Sequence, residues 1–222
     1  LEQSNGVSKI SGWQPKHLAS FNDEKLTGFM PLYLKDNSQG EFVFDHSWSY
    51  ALNRTGRNYY PKLVTAIPFT PCETEKIIGE KINSLFINEV IDLMNSENIE
   101  TWHILFPNEI LKDDLQKNNF IERNGYKFVW ENKSYNNFDD YLNIFKSRQR
   151  KNIRTERKKI SELDIYFEVK DAKNLTESDW NEFYTFYKNT YEQRLQIPYL
   201  NSDFFKMVHE NRESIKPVIF FA

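Results

Sequence analysis

Hydrophobic and polar positions alternate in short blocks along the first third of the chain and then lengthen into helical periods. Residues 26–34 read as a strand and 41–44 as a second. Residues 47–53 fit a short helix with Ser47 as its cap. Residues 60–67 read as a strand closed by the Pro-rich turn 68–71. A helix is predicted over 74–95, because Ile78, Ile82, Phe86, Val90 and Leu93 recur on one face. A strand over 101–106, a helix over 107–118 and a strand over 125–130 follow. Residues 132–137 are polar without apolar periodicity and mark a boundary. Beyond it, 138–163 read as one long helix or two abutting ones. Residues 165–169 then read as a strand, 179–194 and 202–212 as helices, and 218–222 as a strand. The pattern predicts a mixed α/β layer architecture. A loose helix and strand alternation shared by the two halves suggests a duplicated fold. Both ends read as cut: the first residue is Leu, and the last strand has nothing after it to cover its edge.

Composition narrows the class. The chain has 222 residues, 39% hydrophobic and 16% aromatic, which suits a packed fold rather than disorder. A net charge of -3 argues against a general nucleic-acid polycation. The single cysteine excludes an intramolecular disulfide and a cysteine zinc cage, and four scattered histidines suggest no metal site. No apolar run approaches the roughly 18 residues of a membrane span. A cytoplasmic setting is expected. Residues 26–71 mix Glu41, Asp45, His46, Arg57 and Lys62 with many large rings. A plain core strand avoids such mixing, so either a concave site or a polar interior is implied.

Several islands run in order across nearly the whole chain. They include Gly12-Trp13-Gln14-Pro15, Pro31-Leu32-Tyr33-Leu34-Lys35, Gly40-Glu41-Phe42-Val43-Phe44-Asp45 and Tyr59-Tyr60-Pro61-Lys62. Pro68-Phe69-Thr70-Pro71, His103-Ile104-Leu105-Phe106, Ser147-Arg148-Gln149-Arg150-Lys151 and Ile197-Pro198-Tyr199-Leu200 continue the series. Together they resemble the peptidoglycan biosynthesis/recognition family, Fem-like members of the GNAT acyltransferase superfamily. Two positions depart from it. Val129 stands before Trp130 where the family tends to have His, and Gln39 replaces a usual aromatic. The resemblance implies a GNAT-like mixed sheet flanked by helices, with a first domain over 1–135 and a truncated second over 136–222. It also implies transfer of an acyl or aminoacyl group to an amine, with acyl-CoA or aminoacyl-tRNA as donor and no metal.

Candidate chemistry follows from residue types. Residues 146–159 hold eight Lys or Arg against one Glu, a net +7 that leaves -10 for the remainder. On a helix Arg150, Arg154, Arg157 and Lys158 share a broad face beside Lys151, with Ile153 and Ile160 turned toward the core. Such a stripe either holds donor phosphates or is a solvated face. Amine acyl transfer needs a base, and Glu41, Asp45 and His46 are the candidates. Tyr59, Tyr60 and Lys62 are candidate acceptor-binding groups, with structural pairing the alternative. Trp180, Tyr184, Tyr187 and Tyr191 recur at helical spacing; they are either a core stripe or, with Tyr199, a groove for peptide or sugar. Alternation puts His103 on the face opposite Trp102, Ile104 and Phe106, where a lone strand histidine reads as a structural residue. No Gly-rich pyrophosphate loop appears. The readings left open are an N-acyltransferase acting on a cell-wall precursor or small molecule, a non-catalytic peptidoglycan-fragment recognition module, and a tRNA- or RNA-binding protein.

Overall fold

The computed structural model describes residues 1–79 and 83–222. The fold is mixed α/β, as the pattern predicts, and divides into two compact units. One comprises 1–122 with 176–211, the other 123–175 with 212–222.

The first unit is built on a four-stranded sheet. Its strands are β1 (Gln14–Pro15), β4 (Tyr33–Lys35), β5 (Lys62–Thr65) and β6 (Trp102–Ile104), in that order. β5 pairs antiparallel with β4 and parallel with β6. β5 is buried along its whole length, as a strand covered on both faces must be. Its partners α2 (Asn83–Glu97) and α3 (Glu109–Lys117) bury Phe86, Ile87, Val90, Leu111 and Leu115 against Met30, Leu32 and Leu63. Asn108 caps α3 by accepting from Leu111 N at 3.0 Å.

The strand expected over 26–34 is two strands. β2 (Leu18–Asn22) and β3 (Lys25–Met30) form a hairpin with a register shift at Ser20/Phe21, and β4 joins the main sheet. Pro31 divides them, since it has no N–H for a ladder. The stretch 41–44 is not a strand. Phe42 adopts φ 56°, and the flanking acidic side chains turn inward. Helix α1 (His46–Asn53) begins after Asp45 rather than at a Ser47 cap.

The helix expected from 74 is recognised only as α2. Thr74 bridges Pro107 and Ile78 bridges Phe29, so this backbone is committed to extended pairing. Lys76 holds it there, donating to the carbonyls of Cys72, Thr74 and Phe106 and to Thr74 Oγ1. Ile78 is therefore exposed instead of lying on the apolar stripe, and Ile82 lies outside the described residues. The remaining helices of this unit, α6 (Glu177–Glu192) and α7 (Ser202–Glu210), are capped by Thr176 and Asn201.

In the second unit, the long helix expected over 138–163 is two: α4 (Phe138–Leu142) and α5 (Ser147–Ser161). Asn137 caps α4. Ile153 is half-buried, but Ile160 is exposed and α5 buries no residue, so the predicted apolar face is incomplete. Residues 125–130 are exposed and form no strand, because no partner strand pairs with them among the described residues. β7 (Glu168–Asp171) starts later than expected because its register is set by antiparallel β8 (Val218–Phe221). The short helix α8 (Arg212–Ile215) precedes β8.

Candidate active site

Residues two apart on a strand share a face, and paired residues on neighbouring strands share it too. Lys35 pairs with Lys62, Tyr33 with Val64, and Val64 with His103. One face of the sheet therefore carries Tyr33, Lys35, Lys62, Val64 and His103. Its apolar part packs Val7, Trp13, Tyr33, Val64, Ala66 and Leu105. Its other part is a buried charge cluster.

Lysines directly opposite on antiparallel strands repel. The segment after β4 compensates by folding Glu41 and Asp45 over them. Lys62 Nζ donates to Ser38 Oγ at 2.7 Å, Glu41 Oε2 at 2.9 Å and Asp45 Oδ2 at 2.6 Å. Three protons meet three acceptors, so this ammonium is saturated. Lys35 Nζ donates to Gly12 O and Gln39 O, stands 3.9 Å from Glu41 Oε1, and lies 3.6 Å from the Trp13 ring centroid. All four charged side chains have zero exposure, and their formal charges cancel.

Tyrosines extend the cluster. Tyr59 OH donates to Asp45 Oδ2 at 2.6 Å, and Ser38 Oγ donates to the same oxygen at 2.8 Å. Ser38 has one proton, so Tyr60 OH, 2.7 Å from Ser38 Oγ, is the donor in that pair. Tyr59 OH also lies 3.2 Å from His103 Nε2. Asp45 Oδ1 is buried and has no hydrogen-bond partner among the described residues.

Ionisation follows from this packing. Burial lowers Lys35 to about 8, against the opposing pull of Glu41, and burial likewise raises the Glu41 carboxyl despite Lys62 and Lys35. Burial would raise Asp45 as well. Hydrogen bonds from Lys62, Tyr59 and Ser38 outweigh it and hold this carboxyl down at about 2. Tyr59 is pushed up by burial and then by Asp45, so its phenol stays protonated.

The structure thus brings Glu41, Asp45, Tyr59, Tyr60 and Lys62 together. His46, the third acid–base candidate, opens α1 with an exposed side chain. Tyr187, Tyr191 and Tyr199 form a separate half-buried aromatic group. Tyr187 packs on Phe205 and Tyr191, Tyr191 on Tyr199, and Tyr199 stacks on Phe69 with centroids 5.0 Å apart. Trp180 and Tyr184 also contact Phe205, so the start of this stripe is core.

On α5, Ser147, Arg150, Lys151, Arg154, Thr155 and Lys158 line a shallow depression of about 390 Å³. Arg150 donates to Phe145 O at 2.6 Å, and Arg154 pairs with Asp139. Arg157 does not line the depression; its guanidinium lies 4.1 Å from the Phe138 ring centroid. Sequence reasoning gave no separate role to Lys35 or Ser38 and read His103 as structural. The strand alternation that set His103 opposite Trp102 was the available signal. It lacked only the identity of the groups on that face.

Comparison with known proteins gives one family. The FemAB-like family model, described as peptidoglycan biosynthesis/recognition, matches residues 1–221. No curated protein and no solved structure matches the chain.

Proposed function

Because the chain belongs to the FemAB-like family of peptidoglycan biosynthesis and recognition proteins, we propose that it is a transferase moving an acyl or aminoacyl group onto an amine of a peptidoglycan precursor. The observation that carries this reading is the charge cluster on one sheet face, edged by Tyr59, Tyr60 and His103. Transfer to an amine requires removal of a proton from nitrogen and stabilisation of the oxygen that gains charge. Glu41 and Asp45 are too buried to meet a substrate. They hold Lys62, and Asp45 with Ser38 fixes the two phenols at the edge. His46 and the aromatic group of Tyr187, Tyr191 and Tyr199 are further candidate contacts for the acceptor.

The donor in this proposal is acyl-CoA or aminoacyl-tRNA, both of which carry phosphates. The residues present fit that chemistry. Arg150, Lys151 and Arg154 line the depression on α5 together with Lys158 and the hydroxyls of Ser147 and Thr155. Arg157, exposed on the same helix with its guanidinium over the Phe138 ring, is a further candidate contact. The division into a first GNAT-like domain over 1–135 and a second from 136 belongs to the same proposal.

The test is an assay of the protein with labelled aminoacyl-tRNA, labelled acyl-CoA and an amine-bearing muropeptide precursor. The expected result is label on the precursor with one donor class. A precursor that binds yet gains no label from either donor refutes the transferase. The complete burial of the four charged groups favours the second reading, a recognition module in which the cluster only holds the fold. Binding without transfer is its signature.

A further inference from the structure

In the second unit, four rings gather before and along α4. Trp130, Tyr135, Phe138 and Tyr141 line, with Asn132 and Asn137, an open depression of about 470 Å³. That volume lies within the range of small-molecule sites, about 300–1,000 Å³. Tyr141 is the hub. It meets Tyr135 at 5.4 Å and Trp130 at 6.3 Å between centroids, both edge-to-face, and Phe145 at 5.1 Å. Phe138 lies 5.7 Å from Tyr141 and carries the Arg157 guanidinium over its ring. The rings hold one another, yet Trp130 is 63% exposed. An indole left in water at the wall of a depression, beside other rings, offers apolar surface to a ligand.

The polar groups of this lining are donors. Asn132 Oδ1 accepts from Ser134 N and Asn137 Oδ1 from Asp140 N, each at 3.0 Å. A backbone N–H can only donate, so the oxygen of each amide is fixed on the backbone and its Nδ2–H2 group is left to donate. The indole N–H of Trp130 and the hydroxyls of Tyr135 and Tyr141 belong to the same lining. None of the six residues is charged. The neighbouring carboxylates are engaged elsewhere: Asp139 with Arg154, Asp140 with the backbone and side-chain N–H groups of Asn136. An organic cation gains from a free carboxylate beside the rings, and a phosphate from an Arg or Lys. A neutral polyhydroxylated ring needs neither. Its C–H face packs on aromatic carbon, and its hydroxyl rim accepts from amide and indole N–H groups. We propose that this depression is a saccharide-binding site for a pyranose ring, with Trp130 as its platform and Asn132 and Asn137 as its donors. That the ring belongs to the glycan part of the cell-wall acceptor rests on the transferase reading; binding of the ring does not.

The experiment titrates the whole chain with N,N′-diacetylchitobiose, a neutral disaccharide of N-acetylglucosamine, in the absence of any acyl donor. The readout is the indole N–H resonance of Trp130 in proton–nitrogen correlation spectra, assigned by its loss in Trp130→Phe. A saturable shift with a Kd on the order of 1 mM is expected, weak because the site is open and its polar anchors are few. Trp130→Ala, followed on the Asn137 side-chain amide, should weaken binding by about tenfold or more. Asn137→Ser keeps a capping oxygen for α4 and removes the Nδ2 donor; it should weaken binding about 2–10-fold, one neutral hydrogen bond's worth. If Trp130→Ala does not fold, Asn137→Ser decides. No shift of the Trp130 indole up to about 50 mM disaccharide overturns the proposal, as does an unchanged Kd in either folded variant. A Trp130 shift with tetramethylammonium chloride but none with the disaccharide also overturns it and assigns an ammonium cage. Acyl transfer to a muropeptide with a silent Trp130 sinks this proposal alone, and a Trp130 shift without transfer sinks only the transferase reading.

Discussion

Lys62 stands at the centre of the buried cluster, and replacing it by Met tests whether the cluster holds the fold. The side chain donates to Asp45 at 2.6 Å, Ser38 at 2.7 Å and Glu41 at 2.9 Å, and it and both carboxylates have zero exposure. Met fills similar volume but leaves two buried carboxylates, with Lys35 at 3.9 Å from Glu41. Removing one partner of a buried ion pair costs about 3–5 kcal/mol. At this chain length each kcal/mol lowers Tm by about 2–4 °C, so Lys62→Met should melt roughly 6–20 °C lower at pH 7. The pH dependence has a definite sign. Without Lys62 the buried carboxyls bind protons more tightly folded than unfolded, so the variant regains stability as pH falls toward the ordinary carboxyl range near 4. Its deficit relative to the unmodified protein should be smaller at pH 5 than at pH 7. Adding Asp45→Asn to Lys62→Met should recover part of the loss, since one stranded charge is gone. Thermal melts followed by circular dichroism at both pH values measure this. A drop under about 2 °C at pH 7, or an equal deficit at both pH values, would refute the reasoning.

Other consequences can be checked with the same protein. Lys35 titrates near 8 folded against 10.5 in its ordinary state, so the unfolded chain binds more protons between those values and stability rises with pH there. Burial lowers Lys76 as well, so Lys35→Met should reduce, not abolish, the rise in urea midpoint between pH 7.5 and roughly 9.5, a window below tyrosine ionisation; an undiminished rise assigns it elsewhere. Gly40 has φ 76°, and a Cβ there would meet Phe69 Cε1 at 2.5 Å. Gly40→Ala should cost about 2–4 kcal/mol from strain and overpacking together, and an unchanged melt contradicts the packing. Changing Lys151 and Lys158 to Ala should weaken binding of a phosphate-bearing donor and reduce its log–log salt slope by about 1–2; an unaltered slope removes phosphate binding from α5.

What the sequence by itself determined were features whose cause is local. The apolar spacing of Phe86 and Val90, the helical stretches near 107–118 and 179–194, and the Pro-rich close of β5 each lie within a few turns of chain, and observed elements lie near them. The family islands were legible for the same reason. Tertiary structure decided the rest. Residues 74–79 are not helical because Phe29 and Pro107 offer bridge partners to Ile78 and Thr74, which no helical period records. Residues 41–44 leave strand geometry because two lysines with zero exposure draw Glu41 and Asp45 inward. The candidate site is of this second kind. Lys35, Lys62 and His103 are far apart in the chain and meet only through the register of β4, β5 and β6. Alternation along one strand told which way each side chain points, but not what it would face. Burying a charge is too costly unless an opposite charge arrives from another segment, and that pairing is a property of the folded sheet alone.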